Sequence, residues 1–240
     1  MAITPDSWLA NIFEYPVFLV ESPAGLSDWG AELKQHTVQQ TRALYYVKLP
    51  TGQVDAARNF IQQGFYPVEV NITFELRKDA PALTSAVSDL TVRDDQEFYA
   101  DAARIAGSCF RYSRFHADPL IPKALADRVK AEWVRSYVEK KRGDALMVAV
   151  KNGAAAGFLA AAVVNDGVRK NAVIELIGVD AAFQGQGVGK TLVQEFIRAY
   201  RAKCDALRVG TQAANIPSMR LYERLGFSIV ETKYVLHLHQ

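Results

Sequence analysis

The strongest constraint on the fold is a strand that turns on alternate glycines directly into a helix. Residues 172–179 alternate apolar side chains as a half-buried strand does, and residues 190–202 carry the apolar stripe of an amphipathic helix. Between them runs Gln184-Gly185-Gln186-Gly187-Val188-Gly189. Such a unit places the chain in an α/β architecture. It also leaves a row of backbone N–H groups at a helix N-terminus, a ready site for a phosphate or pyrophosphate. Glycine lets a ligand approach that backbone with no Cβ in the way. Two nucleotide motifs miss by one residue each. A dinucleotide fingerprint needs glycine at 190, where Lys190 stands, and a Walker A loop ending Gly189-Lys190-Thr191 needs glycine at 184, where Gln184 stands.

What does fit is Gln/Arg-x-x-Gly-x-Gly/Ala, followed downstream by Asn215, Ser218, Tyr222 and Gly226-Phe227. Residues seven apart share one helix face, so Asn215 and Tyr222 address one ligand. The two motifs together resemble the GNAT family of acyl-CoA-dependent N-acyltransferases. The resemblance implies an α/β (α+β) GNAT fold, a mixed central sheet flanked by helices, with acetyl-CoA as co-substrate and no metal. It implies that Ile177, Gly178 and Val179 on the strand, with Gln184, Gly185, Gln186, Gly187, Val188, Gly189 and Lys190 of the turn, hold the coenzyme. Asn215 would hydrogen-bond the pantetheine arm. Tyr222 would be the general acid for the departing thiolate, and a backbone N–H near Val179, on a distorted strand, the oxyanion donor. Glu175 shares strand parity with Ile177 and Val179 and is the candidate base, with an ordered water as the alternative.

Further blocks, Ser113-Arg114-Phe115-His116, residues 207–212 and Glu231-Thr232-Lys233-Tyr234, resemble the family members that acetylate the 4-amino group of nucleotide-linked amino-deoxysugars. The chain departs from those members at 179–185 and at His116, where arginine is expected. Arg111, Arg114 and His116 would suit a pyrophosphate-bearing acceptor through charge-assisted hydrogen bonds; a solvated basic loop, or a structural anchor at Arg114, is the other reading. The expected partner is a small-molecule amine, with a nucleotide sugar favoured and a homodimer left open. Other amines (a peptide N-terminus, a lysine, an antibiotic or a polyamine), a non-catalytic acyl-CoA-binding protein and a nucleotide hydrolase remain as alternatives.

A net charge of +2 with pI ≈ 8.5 argues for neither nucleic acid nor an anionic membrane. The most apolar stretch, 153–164, is far shorter than the roughly 20 residues that span a bilayer. Pro5, Asp6 and Trp8 stand where a signal peptide would be basic and then apolar. A cytoplasmic location is therefore expected. Cys109 and Cys204 read as reduced, buried thiols, and His237 and His239 as ordinary residues of the last strand.

Periodicity and turn residues divide the chain near 78–88 into a smaller N-terminal α/β half-domain, 1–80, and an acyltransferase domain, 81–240. Strands are expected at 17–20, 44–49, 68–76, 147–150, 155–164, 172–179 and 206–209, with a final strand pair ending at His239. Helices are expected at 53–63, 94–109, 122–141, 190–202 and 217–225, with hairpin turns at Asn152-Gly153 and Asn165-Asp166-Gly167. At an offset of 162 residues Arg58, Gly64, Phe65, Val68, Glu69 and Leu76 match Arg220, Gly226, Phe227, Val230, Glu231 and Leu238, while Phe60 stands where Tyr222 would be. The N-terminal half thus reads as a degenerate copy that completes the sheet and carries no chemistry.

Overall fold

The computed structural model describes residues 2–21, 29–79, 89–165 and 167–240; most of the expected linker, 80–88, and Asp166 of the second hairpin turn lie outside them. A ten-stranded sheet forms the centre. Its strands are β1 (Ile3–Pro5), β2 (Val17–Val20), β3 (Leu44–Pro50), β4 (Tyr66–Arg77), β5 (Thr91–Arg93), β6 (Ala145–Lys151), β7 (Ala154–Asn165), β8 (Lys170–Val179), β9 (Ala206–Gln212) and β10 (Ser228–His239). The spatial order is β1-β2-β3-β10-β4-β9-β8-β7-β6-β5. Among the described residues only the β2–β3 and β8–β9 pairs are parallel.

Eight helices cover the two faces among the described residues: α1 (Ser7–Phe13), α2 (Trp29–Val38), α3 (Val54–Gln62), α4 (Tyr99–Cys109), α5 (Arg114–Ala117), α6 (Lys123–Val138), α7 (Val188–Tyr200) and α8 (Ile216–Arg224). The period-2 pattern of the strands decides which helices they meet. On β3, Leu44 and Tyr46 pack with Leu9 and Val129 of α1 and α6, whereas Tyr45, Val47 and Leu49 pack with Leu33 and Phe60 of α2 and α3. In the other half, Val148 and Val150 meet Ala102 and Val134 of α4 and α6, while Ala149 joins the cluster around Leu192 and Phe196 of α7.

Two expectations are corrected. The segment after Cys109 is a short helix, α5, where a loop was expected. The chain's end is one twelve-residue strand, β10, and no strand pair. From 228 to 239 there is no glycine, proline or asparagine to turn the chain, so the bends become register shifts, at Ile229/Glu231 and Val235/Leu236. Helix α1 was missed although its signal is local: the Asp6 carboxylate accepts from Leu9 N at 3.0 Å, an N-cap, and Glu14 closes the helix at φ 62°.

The offset seen in six residues extends to whole elements. Moving β3, α3 and β4 by 162 positions lands on the bounds of β9, α8 and β10. Each helix ends on a glycine in the left-handed region, Gly64 at φ 93° and Gly226 at φ 83°. The two copies also interlock, since β10 lies between β3 and β4 while β4 lies between β10 and β9.

Candidate active site

The two parallel strands at the centre fork. β8 and β9 pair only from Asn171↔Ala206 to Ile174↔Val209. Beyond that point β8 stays with β7 as far as Gly157↔Val179, and β9 stays with β4 as far as Asn71↔Gln212. The expected distortion of β8 lies earlier than Val179: the β7–β8 register shifts between Ala160 and Ala161, leaving Glu175 as the extra residue. A cleft of about 600 Å³ opens in the fork.

The glycine turn closes one end of it. Gly185 and Gly187 take φ of 77° and 82°, and a Cβ on either would project into open space with no atom within 4 Å. That is the shape of a backbone cradle. Gly187 is the N-cap of α7, whose first N–H groups lack intrahelical partners. Ile177, Gly178, Val179, Gln184, Gly185, Gly187, Val188, Gly189, Lys190 and Asn215 all line the cleft. Gln186 does not: its side chain turns outward, accepting from Lys151 Nζ at 3.0 Å and donating to the Ala182 carbonyl at 3.0 Å. Asn215 caps α8, its Oδ1 accepting from Ser218 N at 3.3 Å, which leaves its amide N–H groups for a ligand.

Tyr222 lines the other side of the fork, 1 % exposed, with its ring packed between Phe74 and Phe227 at centroid distances of 5.7 and 6.0 Å. Its hydroxyl has no protein hydrogen-bond partner among the described residues. Burial alone pushes the phenol well above its ordinary pKa, so it is protonated at neutral pH.

Glu175 lines the cleft, where a base would stand, but its carboxylate is already engaged. One carboxylate oxygen, Oε2, accepts from Tyr137 Oη at 2.7 Å, Arg142 Nε at 2.8 Å and Trp133 Nε1 at 3.2 Å. Burial works to raise its pKa, but Arg142 and Tyr137 outweigh it and hold the carboxyl below the usual range. A stabilised carboxylate is a weak base; here it fastens α6 to the bulge of β8. Glu175→Gln is expected to lower stability by about 1–3 kcal/mol while leaving the shape of the pH–rate profile intact. Thermal unfolding and a kcat series on the same variant check both halves of that expectation.

Of the three basic candidates, Arg111 lines the cleft, whereas Arg114 and His116 stand behind it. Arg114 is no solvated loop residue: its guanidinium lies 3.8 Å from the Tyr46 ring centroid and 3.5 Å from His237 Nε2. His116 bridges Ser113 and Asp127. Cys109 also lines the cleft, but burial pushes its thiol up to about 12, which excludes a thiolate nucleophile at neutral pH.

Among the cleft groups that escaped the sequence reading, two bear on the chemistry. Ser113, 5 % exposed, is one. Lys130, 7 % exposed, is the other, and burial lowers its pKa to about 8. Its ammonium lies 5.0, 5.1 and 5.7 Å from the ring centroids of Phe110, Trp133 and Phe115, with no carboxylate in ion-pair range among the described residues. A signal existed: Lys130 falls on the apolar stripe Ala126, Val134, Tyr137 of α6, where a solvated lysine would not sit. Behind it, Glu69 Oε2 is buried without a partner among the described residues, and burial raises that carboxyl despite Arg114, Lys130 and Lys48 around it.

His237 and His239 join a third group. Asp118 Oδ2 accepts from His237 Nδ1 at 2.6 Å and His239 Nε2 at 2.8 Å, while Oδ1 accepts from Tyr66 Oη at 2.7 Å and Leu120 N at 2.9 Å. These are hydrogen-bond lengths. Two ligands on a tetrahedral ion at about 2.0–2.1 Å would stand roughly 3.3 Å apart, so the cluster is closed on itself as a hydrogen-bonded triad.

A forked parallel pair, a glycine cradle and a buried phenol opposite it define an acyltransferase cleft, and comparison with known proteins agrees. The sequence pattern of the Acetyltransferase (GNAT) family matches residues 102–227, more than half the chain, and the protein belongs to that family. Among its relatives, dTDP-fucosamine acetyltransferase of Escherichia coli is 30 % identical over 194 residues, covering 78 % of this chain and 76 % of that protein. The spore coat polysaccharide biosynthesis protein SpsD of Bacillus subtilis is 27 % identical over 166 residues, 69 % of this chain but only 50 % of its own length. In fold, the chain is similar to a GCN5-related N-acetyltransferase from Sphaerobacter thermophilus, with TM-score 0.62 and 19 % identity over 88 % of this chain and 65 % of that one. No helix among the described residues is long and apolar enough to cross a membrane.

Proposed function

We propose that this protein transfers an acetyl group from acetyl-CoA to a primary amine of a small molecule, and that the amine belongs to a nucleotide-linked amino-deoxysugar. The observation that carries the reading is the Tyr222 hydroxyl, protonated, without a protein partner and facing the cleft at its fork. The amides of Gln184, Gly185 and 187–189 hold the coenzyme's pyrophosphate, and Asn215 its pantetheine arm. Backbone N–H groups of β8 beyond Ile174, where pairing with β9 has ended, orient the thioester and polarise its carbonyl. The amine enters as the free base and attacks that carbonyl carbon. The C–S bond breaks, and Tyr222 supplies the proton that the leaving sulfur needs.

Support for a phosphate-bearing acceptor comes from charge at the cleft's inner end. Lys130 and Arg111 line the cleft, with Lys48 and Arg114 behind, and the carboxylates near these four cations are Glu69 and Asp6. A nucleoside diphosphate supplies the missing negative charge. Two relatives whose names describe sugar chemistry point the same way. The N-terminal half, 1–80, is on this reading a degenerate GNAT half-domain: Phe60 replaces the acid, and its strands complete the sheet and carry Lys48 and Glu69 to the acceptor end.

The test is acetyl-CoA turnover, followed by thiol release, against dTDP-fucosamine, free amino sugars, polyamines and peptides. Turnover highest with dTDP-fucosamine is the expected result. Equal turnover of the free sugar would remove the nucleotide from the proposal, and no thiol release with any amine would remove the transferase.

A further inference from the structure

His116 sits in the middle of a line of hydrogen bonds that starts in the cleft. Ser113 lines the cleft and its Oγ lies 2.7 Å from His116 Nδ1. His116 Nε2 lies 3.0 Å from Asp127 Oδ1 on α6. Asp127 Oδ2 accepts from Lys123 Nζ at 2.6 Å, and Lys123 is exposed to solvent. Asp127 is an ionised acceptor, so His116 must present its Nε2 proton to it. That fixes the tautomer and leaves the Nδ1 lone pair to take the Ser113 hydroxyl proton.

A serine and a histidine three apart meet in any helical turn, and that contact alone would be local structure. Two features go beyond it. Ser113 faces the cleft, and the carboxylate that sets the tautomer comes from a different helix. The arrangement follows the logic of a nucleophile, a base and an orienting acid, with the two imidazole nitrogens exchanged.

We propose that Ser113, His116 and Asp127 form the proton relay that deprotonates the acceptor amine. The proposal rests on the acetyl-transfer reading above. As the amine nitrogen bonds to the thioester carbonyl carbon, its N–H proton passes to Ser113 Oγ, and the Ser113 hydroxyl proton passes to His116 Nδ1. The resulting imidazolium is stabilised by Asp127. Meanwhile the C–S bond breaks and the sulfur takes the Tyr222 proton. The amide and the free thiol leave; His116 then returns its Nδ1 proton through the Ser113 hydroxyl to water entering the emptied cleft, which restores its tautomer, and Tyr222 regains a proton from the same water. Protons balance over the cycle, and no co-reactant is needed.

The imidazole is suited to this. Burial lowers its pKa below the ordinary value, Lys130 and Lys123 on α6 push in the same direction, and Asp127 opposes them. It is therefore neutral at pH 7 and ready to accept. Protonation on the acid side blocks it, so the relay predicts that kcat falls as pH drops below the ordinary imidazole range.

The test compares the wild type with His116→Gln, Asp127→Asn and Ser113→Ala, using dTDP-fucosamine, or the panel amine with the fastest wild-type turnover, as acceptor. Expected is a kcat lower by ~10²-fold for His116→Gln, with the acid limb of kcat lost and the KM for acetyl-CoA unchanged. Asp127→Asn is expected to lower kcat by ~10-fold through the wrong tautomer. Wild-type kcat with an unchanged acid limb in His116→Gln would overturn the relay. Should that variant fail to bind acetyl-CoA by calorimetry, Ser113→Ala, which deletes one oxygen, decides: undiminished kcat overturns the proposal and a ~10-fold or greater loss upholds it. A wild type that binds acetyl-CoA but acetylates no amine removes the transferase reading, and the relay with it.

Discussion

Tyr222→Phe is expected to lower kcat by ~10²-fold or more and to leave the affinity for acetyl-CoA unchanged. The variant isolates the hydroxyl. The ring keeps its packing against Phe74 and Phe227, and no protein hydrogen bond to the hydroxyl exists among the described residues to be broken. Stability should therefore stay within about 1 kcal/mol of the wild type. Without the phenol, the thiolate must leave unprotonated or draw its proton from water in a cleft that narrows around it. The loss belongs to the transition state, so it falls on kcat and on kcat/KM equally. Because burial places the phenol's pKa well above neutrality, wild-type kcat should show no fall between pH 7 and pH 9 from loss of this acid. Isothermal titration with acetyl-CoA and a stopped assay of thiol release separate the two effects. A variant with wild-type turnover would mean that the sulfur is protonated by another group.

How much of this was legible follows from the range of each interaction. The cradle and the phenol were readable because their chemistry is carried by spacing: three glycines at alternate positions force an open turn, and seven residues bring Asn215 and Tyr222 to one helix face. The duplicated helix–glycine–strand unit was visible for the same reason, since Gly64 and Gly226 mark left-handed residues that few other side chains tolerate. Position on a strand also gave the right surface for Glu175. What parity does not encode is the partner: Tyr137 and Arg142 arrive 38 and 33 residues away in sequence and convert a candidate base into a brace. The insertion of β4 beside β9 was equally hidden, because the pair Asn71↔Gln212 is set by the sheet as a whole. With that insertion came Lys48 and Glu69 at the acceptor end, which no motif announces.

Asp118 presents the largest expected effect on stability. Asp118→Ala is expected to destabilise the fold by about 3–5 kcal/mol, a fall in Tm of roughly 10 °C for a chain of this size. The carboxylate is fully buried and serves four donors: His237 and His239 on β10, Tyr66 on β4, and Leu120 N ahead of α6. Removing it leaves a buried imidazole and a tyrosine hydroxyl without their acceptor where the two interlocked copies meet. Asp118→Asn keeps an acceptor oxygen and should lose less. The pH dependence has a definite sign. Burial pushes His237 down to about 4, with the Arg114 charge acting in the same direction and Asp118 opposing. Between its ordinary value near 6.5 and about 4, the unfolded chain binds a proton at His237 that the folded chain refuses. Stability therefore falls as pH drops through that window. Asp118 itself is held far below the carboxylate range, burial being outweighed by its hydrogen bonds, so its own contribution survives until much lower pH. Thermal unfolding of the wild type and of His237→Asn from pH 7 to pH 4 checks this: the wild type should lose Tm more steeply with falling pH. Parallel curves would mean that His237 already carries its proton in the folded protein, and the neutral imidazole that braces Arg114 would have to be abandoned.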